Sequence, residues 1–217
     1  MLIRAIIFDM DGVLIDSEPV HLIAYQEILG RFDITYSAEE NAQYLGRKDS
    51  EIALELIDKY DLPLQPDDLV RHKEESFARL IEQNSLPRPG VVDTLKRARQ
   101  LGLKTGVASS ATLASIKLIV NCLALHDYFH TLTSGDEVAC GKPAPDVYLL
   151  AARRLSVQPH ECLVIEDTEA GVMAAKSAGM TCIAIPCEAT LHQEHELADL
   201  KLQSLSELDL SDWVGSS

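Results

Sequence analysis

Asp9 and Asp11 stand two residues apart in the segment Asp9-Met10-Asp11-Gly12, directly after the apolar run at 3–8, IRAIIF. Ser109 closes a second short stretch, KTGVAS. Lys142 lies in Gly-Lys-Pro-Ala-Pro-Asp, and Glu166-Asp167 follow a third stretch, CLVI. A carboxylate at the end of a strand can act as a nucleophile that forms an acyl phosphate. A second carboxylate two residues on can serve the same centre as general acid and base. Ser109 offers a hydroxyl at a strand–helix junction, where free backbone N–H groups bind anions, and Lys142 is a point charge suited to transferring oxygens. Asp9, Asp11, Glu166 and Asp167 repel one another if brought together, unless a cation lies among them. Oxygen donors without His or Cys select a hard ion, magnesium rather than zinc, and magnesium shares its shell with substrate phosphate. Singly, each residue could be structural: turn formers at Asp9 and Asp11, a helix cap at Ser109, a solvated lysine at Lys142, a surface carboxylate at Glu166.

The six converge only if particular elements carry them. Short apolar stretches at 3–8, 104–109, 131–133, 162–165 and 181–185 read as strands, and 90–100, 111–123, 145–155 and 168–178 read as helices. Apolar strands alternating with helices predict an α/β fold, a doubly wound parallel sheet of Rossmann-like form covered on both faces. Ligands in such sheets bind beyond the carboxyl ends of the strands, which is where all six residues fall. Residues 17–87 have no good strand. They read as helices at 17–32, from the capping box at Ser37, at 49–59 and at 67–84, with Pro63 and Pro66 breaking the chain between the last two. The expected organisation is therefore a core of 1–16 and 88–217 with an all-helical unit, 17–87, inserted after the first strand. Pro87 and Pro89 stiffen its second connection.

Composition narrows the partners. The 217 residues are 47% hydrophobic and 24% charged, the balance of a soluble globular chain, with a net charge of −15. That charge repels nucleic acid and anionic membrane. No apolar run of about 18 residues suggests a membrane span, and the N-terminus does not read as a secretory signal. Five cysteines, odd in number and without a CxxC pair, read as buried thiols of a reducing cytoplasm, with Cys182 and Cys187 packing at a strand end. A cytoplasmic monomer is expected. Residues 188–217 carry seven acids and one Lys and read as a tail remote from every motif. Within it His192 and His195 do not form HExxH and read as a solvated charged segment.

Taken in order, Asp9-Met-Asp-Gly-Val, Ser109, Lys142 and Glu166-Asp167 with Gly171, Ala174-Ala175 and Ala178-Gly179 resemble the four motifs of the haloacid dehalogenase superfamily across the whole chain. The helical insertion resembles that family's small cap. Asp16-Ser17-Glu18 and His21, with Gly46-Arg47, are similar to the branch of β-phosphoglucomutase and sugar-phosphate phosphatases. The resemblance implies Mg²⁺-dependent phosphotransfer from a small phosphate ester, with Asp9 as nucleophile and Asp11 as acid and base. It implies a metal held by Asp9, the Asp11 carbonyl and Asp167 with Glu166 in the shell, phosphoryl oxygens held by Ser109 and Lys142, and a cis bond at Lys142–Pro143. Dehalogenases lack the second Asp, which is present here. Phosphonatases use a cap lysine, and neither Lys48 nor Lys73 sits in a pattern of that kind. His21, Arg47 and Lys73 are the cap candidates for substrate contact, and cap bases are expected to make the closed site locally positive. A phosphatase is favoured over a mutase, because Ala111 and Thr112 stand where the mutase pattern has a serine and a lysine. A non-catalytic binding or regulatory module is the third reading.

Overall fold

Four consecutive apolar residues form β1 (Ala5–Phe8), and all four are buried because the strand is covered on both faces. In the computed structural model, residues 2–45, 47–83 and 85–214 are described. Gly46 of the Gly46-Arg47 signature, and Asn84 at the end of the fourth expected helix, lie outside them. After β1 come α1 (Glu18–Leu29), α2 (Ala38–Asn41), α3 (Asp49–Tyr60) and α4 (Pro66–Gln83). The chain then alternates: α5 (Val91–Gln100), β2 (Lys104–Ser109), α6 (Leu113–Cys122), β3 (Thr131–Ser134), α7 (Asp146–Leu155), β4 (Cys162–Glu166), α8 (Glu169–Ser177), β5 (Thr181–Ala184) and β6 (Leu200–Lys201).

The sheet order is β3-β2-β1-β4-β5-β6 and every pairing is parallel. β1 therefore lies at the point where the winding reverses, the place where doubly wound sheets bind ligands. Phe8 pairs with Val107 of β2 and Ile165 of β4, so Asp9 continues onto the rung beside Glu166. Alternation along β1 divides the core. Ile6 and Phe8 join Val107, Leu163, Ile165 and Ile183 on one face, while Ala5 and Ile7 join Val164, Cys182 and the inner sides of α7 and α8 on the other. Each large apolar side chain so buried contributes about 2 kcal/mol.

The helices of the insertion hold a cluster of their own, including Tyr25, Ile28, Tyr36, Leu56 and Leu69. The boundary is not a clean break: Ala24, Phe77 and Ile81 belong to the same apolar cluster as β1. Pro66, expected as a breaker, instead opens α4, because a missing N–H costs nothing at the first helical position. Pro63 lies in the preceding turn. Of the five cysteines, Cys162, Cys182 and Cys187 are buried as expected, whereas Cys122 and Cys140 are exposed. No helix among the described residues is long and apolar enough to cross a membrane.

The loop that carries Lys142 is anchored at its start. The Ser134 N–H donates to Glu137 Oε2 at 2.9 Å, and Arg154 of α7 grips both oxygens at 2.9 and 2.7 Å. The Arg154 hydrogen bonds, then the Ser134 N–H, pull the Glu137 carboxyl down to about 2. A depressed folded-state pKa adds stability that is present above the unfolded value and fades as pH falls through the folded one. Glu137→Gln is therefore expected to cost about 1 kcal/mol at pH 6, with the gap to wild type closing between pH 4.5 and about 2. Denaturant titrations across that range measure it; a pH-independent gap contradicts the assignment.

Candidate active site

Lys142 is the hub of the carboxyl edge. Its ammonium sits 2.5 Å from Asp9 Oδ1 and 2.6 Å from Glu166 Oε1, over the ring of Tyr148 at 5.0 Å. It reaches there from a loop turned by the cis Lys142–Pro143 bond. Glu166 is 0% exposed, so its charge must be met by the protein. Oε1 accepts from Lys142 and from the Tyr148 hydroxyl at 2.7 Å. Oε2 accepts from the N–H groups of Asp167 and Thr168 at 2.8 and 2.9 Å and from the Thr168 hydroxyl at 3.0 Å. Thr168 caps α8 by accepting from the Gly171 N–H. Position 171 has to be glycine here: a Cβ on it would lie 1.6 Å from Glu166 Oε1.

Asp167 is differently placed. Its Oδ2 accepts from the Cys187 thiol and the Thr190 hydroxyl, both at 3.3 Å, and its buried Oδ1 has no hydrogen-bond partner. Oxygens of Asp9, Glu166 and Asp167 lie within 4.8 Å of one another. A buried carboxylate oxygen without a partner, beside two further carboxylates, fits a hard cation. Electrostatics agree. Burial pushes Asp9 and Asp167 well above the usual carboxylate range, and the neighbouring Glu166 charge adds to both, although Lys142 works against the rise at Asp9. At Glu166 the effect of burial is outweighed by Lys142, and its carboxyl is held low. At Lys142 burial is likewise outweighed by Asp9 and Glu166, and the ammonium is held on. One buried ammonium thus pairs with two of the three carboxylates, and a divalent ion would balance the remainder.

Asp11 faces the helical insertion. It accepts from the Ser17 hydroxyl and lies 3.3 Å from His21 Nε2. Burial alone would raise its pKa, but the His21 contact and then Ser17 bring it below the usual value. His21 is held by stacking on Phe77, centroids 4.3 Å apart. The Ser109 hydroxyl accepts the Ala111 N–H at 3.1 Å in a local turn. The helix cap expected of it falls instead to Thr112, which accepts the Ser115 N–H, so the Ser109 proton remains to donate. Asp9, Asp11, His21, Arg47, Ser109 and Lys142 line one cleft between the insertion and the sheet.

Three expectations need correction. Lys73 does not line that cleft. It is 2% exposed, lies 2.6 Å from Asp49 Oδ2 and sits over the Phe77 ring at 4.9 Å. Arg47 does line the cleft, but its guanidinium is 2.9 Å from Glu55 and 3.8 Å from Glu51. With Glu18 and Asp49 also facing inward, the insertion does not make the closed site positive. Finally, residues 188–217 are not remote from the motifs. His195 is 6% exposed, with Nε2 2.7 Å from the Asp167 carbonyl, and only His192 matches the solvated reading. The residues that sequence reasoning missed are Tyr148, Thr168, Cys187, Thr190 and His195. Thr168 carried a signal, a hydroxyl at the start of α8, but the others lie in no local pattern.

The profile of the haloacid dehalogenase-like hydrolases matches residues 3–179. The chain belongs to this family. It is 34% identical over 183 residues to the fructose-1-phosphate phosphatase YqaB of Escherichia coli, covering 83% of this chain and 95% of that protein. CbbY from Rhodobacter sphaeroides, crystallised in complex with phosphate, superposes with a TM-score of 0.90 at 32% identity, over 95% of this chain and 96% of that one. A CbbY variant in complex with xylulose-1,5-bisphosphate gives the same figures.

Glu166→Gln tests the hub. A carboxamide cannot accept on both sides, and Lys142 keeps only Asp9. Breaking a buried pair this way is expected to cost about 3 kcal/mol in denaturant unfolding; a cost below about 1 kcal/mol would show that the pair is not what holds the edge together.

Proposed function

We propose that this hydrolase is a magnesium-dependent phosphatase acting on a small phosphorylated metabolite, a sugar phosphate, through an aspartyl phosphate on Asp9. The observation that carries the reading is the buried array itself: Asp9 is fixed by Lys142 next to an Asp167 oxygen without a partner. Asp9 would attack phosphorus as the ester oxygen leaves, with Asp11 giving that oxygen a proton. Asp11, now ionised, would then take a proton from the water that attacks the phosphoaspartate, releasing phosphate and restoring Asp9. The Ser17 and His21 contacts favour the ionised Asp11 of that second half, and substrate entering beside His21 would favour the protonated Asp11 of the first.

Lys142 has three N–H donors. Two are engaged by Asp9 and Glu166, and the third is available for a phosphoryl oxygen beside the Ser109 hydroxyl. Asp9, the Asp11 carbonyl and Asp167 are the groups that would hold Mg²⁺, which when bound supplies charge neutralisation for the carboxylates and the phosphoryl oxygens. Glu166, with both oxygens already occupied, would orient Lys142 rather than ligate directly. Residues 17–87 would act as a cap over a core of 1–16 and 88–217, closing to exclude bulk water. Three contacts support closure: His21 to Asp11, Thr112 to Glu74 at 2.6 Å, and Lys48 to the Val138 carbonyl at 3.3 Å. Unpaired cysteines support a reducing, cytoplasmic setting.

Between phosphatase and mutase, Thr112 favours the phosphatase: it stands where the mutase pattern has a lysine, and a hydroxyl bonded to Glu74 at 2.6 Å supplies no cation for a second phosphate. Arg47 lines the cleft, and its ion pairs with Glu55 and Glu51, being partly exposed and of little strength, would yield to a substrate phosphate. Yielding inorganic phosphate from a panel of sugar monophosphates, with no need for a bisphosphate primer, is the expected behaviour. β-Glucose 1-phosphate converted to glucose 6-phosphate without net phosphate release would replace the phosphatase reading with the mutase. Asp9→Asn is expected to lower kcat/KM at least about 1,000-fold, and chelation of divalent ions to abolish turnover reversibly. No turnover by the wild-type protein, with Asp9→Asn changing nothing, would leave only a binding module, and an Asp9→Asn variant that keeps full activity would overturn Asp9 as the nucleophile.

A further inference from the structure

Asp167 has two oxygens, and the structure treats them unequally. Behind it runs a strap, residues 187–195, tied at both ends. It leaves β5, and it returns at Asp199, whose N–H donates to the Cys182 carbonyl and whose carboxylate accepts the Cys182 N–H, both at 2.8 Å. Within the strap the Cys187 N–H donates to the Thr190 hydroxyl oxygen at 2.9 Å. That oxygen is thereby held in place, and its proton has three acceptors in reach, Asp167 Oδ2 at 3.3 Å, the Cys187 carbonyl at 3.4 Å and the Cys187 sulfur at 3.5 Å. With a cation beside it Asp167 would be ionised, and its carboxylate is then the strongest of these acceptors. The Cys187 thiol, also buried, reaches the same Oδ2 at 3.3 Å. His195 Nε2 donates to the Asp167 carbonyl, which leaves Nδ1 buried without a partner.

We infer that Cys187 and Thr190 are positioning residues for the proposed metal site: their donors occupy Oδ2 and leave Oδ1 of Asp167 as the coordinating oxygen. Gly12 packs closely against the same oxygen. Its φ is +78°, and a Cβ there would lie 2.0 Å from Oδ2, so the carboxylate is clasped between the Asp11-Gly12 turn and the strap. A carboxylate free to rotate would offer either oxygen and would lose orientational freedom on binding a cation. One held by two donors has lost that freedom already, and outer-shell partners of this kind commonly change metal affinity by about 10–100-fold. Magnesium demands near-ideal octahedral geometry and is sensitive to such a loss.

The inference rests on the metal reading above, and Mn²⁺ alone, titrated into the protein without substrate and followed by electron paramagnetic resonance of the free ion, separates the two. Thr190→Val removes the hydroxyl at equal size and is expected to weaken Mn²⁺ binding about tenfold, while Thr190→Ser stays within about threefold of wild type. A purely structural role would lower unfolding stability and leave the dissociation constant alone. A folded Thr190→Val with a dissociation constant within twofold of wild type overturns the inference. Should Thr190→Val fail to fold, Cys187→Ala against Cys187→Ser decides: weaker Mn²⁺ binding in the alanine variant, recovered by serine, supports the strap, and equal binding overturns it. Wild-type protein that binds no Mn²⁺ overturns the metal site and the strap with it.

Discussion

One buried ammonium holds the carboxyl edge of this sheet together. Lys142 lies between Asp9 and Glu166 with no bulk water to screen any of the three. In that setting an unpaired charge is far more costly than a surface ion pair is helpful. Much of the surrounding architecture follows from meeting that requirement. Tyr148 and the two residues leading into α8, Asp167 and Thr168, absorb the remaining lone pairs of Glu166. Glycine at 171 lets the carboxylate sit against the helix. The grip of Arg154 on Glu137 anchors the loop from which Lys142 reaches in. Asp167, lacking an ammonium of its own, is left as the position where a cation would complete the balance.

The net charge of −15 says little about this edge. The sign that matters to a phosphate ester is local: it would be set by Lys142 and by a cation held among Asp9, Glu166 and Asp167, within a cleft whose walls lower the dielectric. The helical insertion contributes less positive charge than its base count suggests, since Lys73 and Arg47 are already matched by Asp49, Glu55 and Glu51. What it offers instead is a set of polar groups with mixed sign, suited to hydroxyls and carbonyls as well as to anions. Substrate choice within the family would then depend on hydrogen bonding by the insertion more than on its charge.

The first five strands, with Asp9, Ser109 and Glu166-Asp167 at their ends, were legible because each rests on a local pattern: an apolar run, then a polar residue at its carboxyl end. β6, two exposed residues within the segment read as a remote tail, has no such run. Lys73 was misread although its signal was present. Leu69, Lys73, Phe77 and Ile81 recur every four residues along α4, so Lys73 occupies the buried stripe, and a lysine there has to find a carboxylate rather than a ligand. His195, Cys187 and Thr190 carried no such signal. They approach Asp167 only because β5 lies beside β4 and the chain then doubles back to β6, a placement set by tertiary packing. Pro66 shows the converse limit, where one residue type can stop a helix or start one and only the neighbouring turn decides.

The central claim is that the Asp9 carboxylate, held by Lys142, takes the phosphoryl group. Mixing enzyme with excess sugar phosphate, quenching during turnover and reducing with borohydride converts an aspartyl phosphate to homoserine, which peptide mass spectrometry locates. The account predicts conversion at Asp9 alone, absent when substrate is withheld. Conversion at Asp11 or Asp167, or none in an enzyme that is releasing phosphate and whose acyl phosphate would survive the quench, would contradict it.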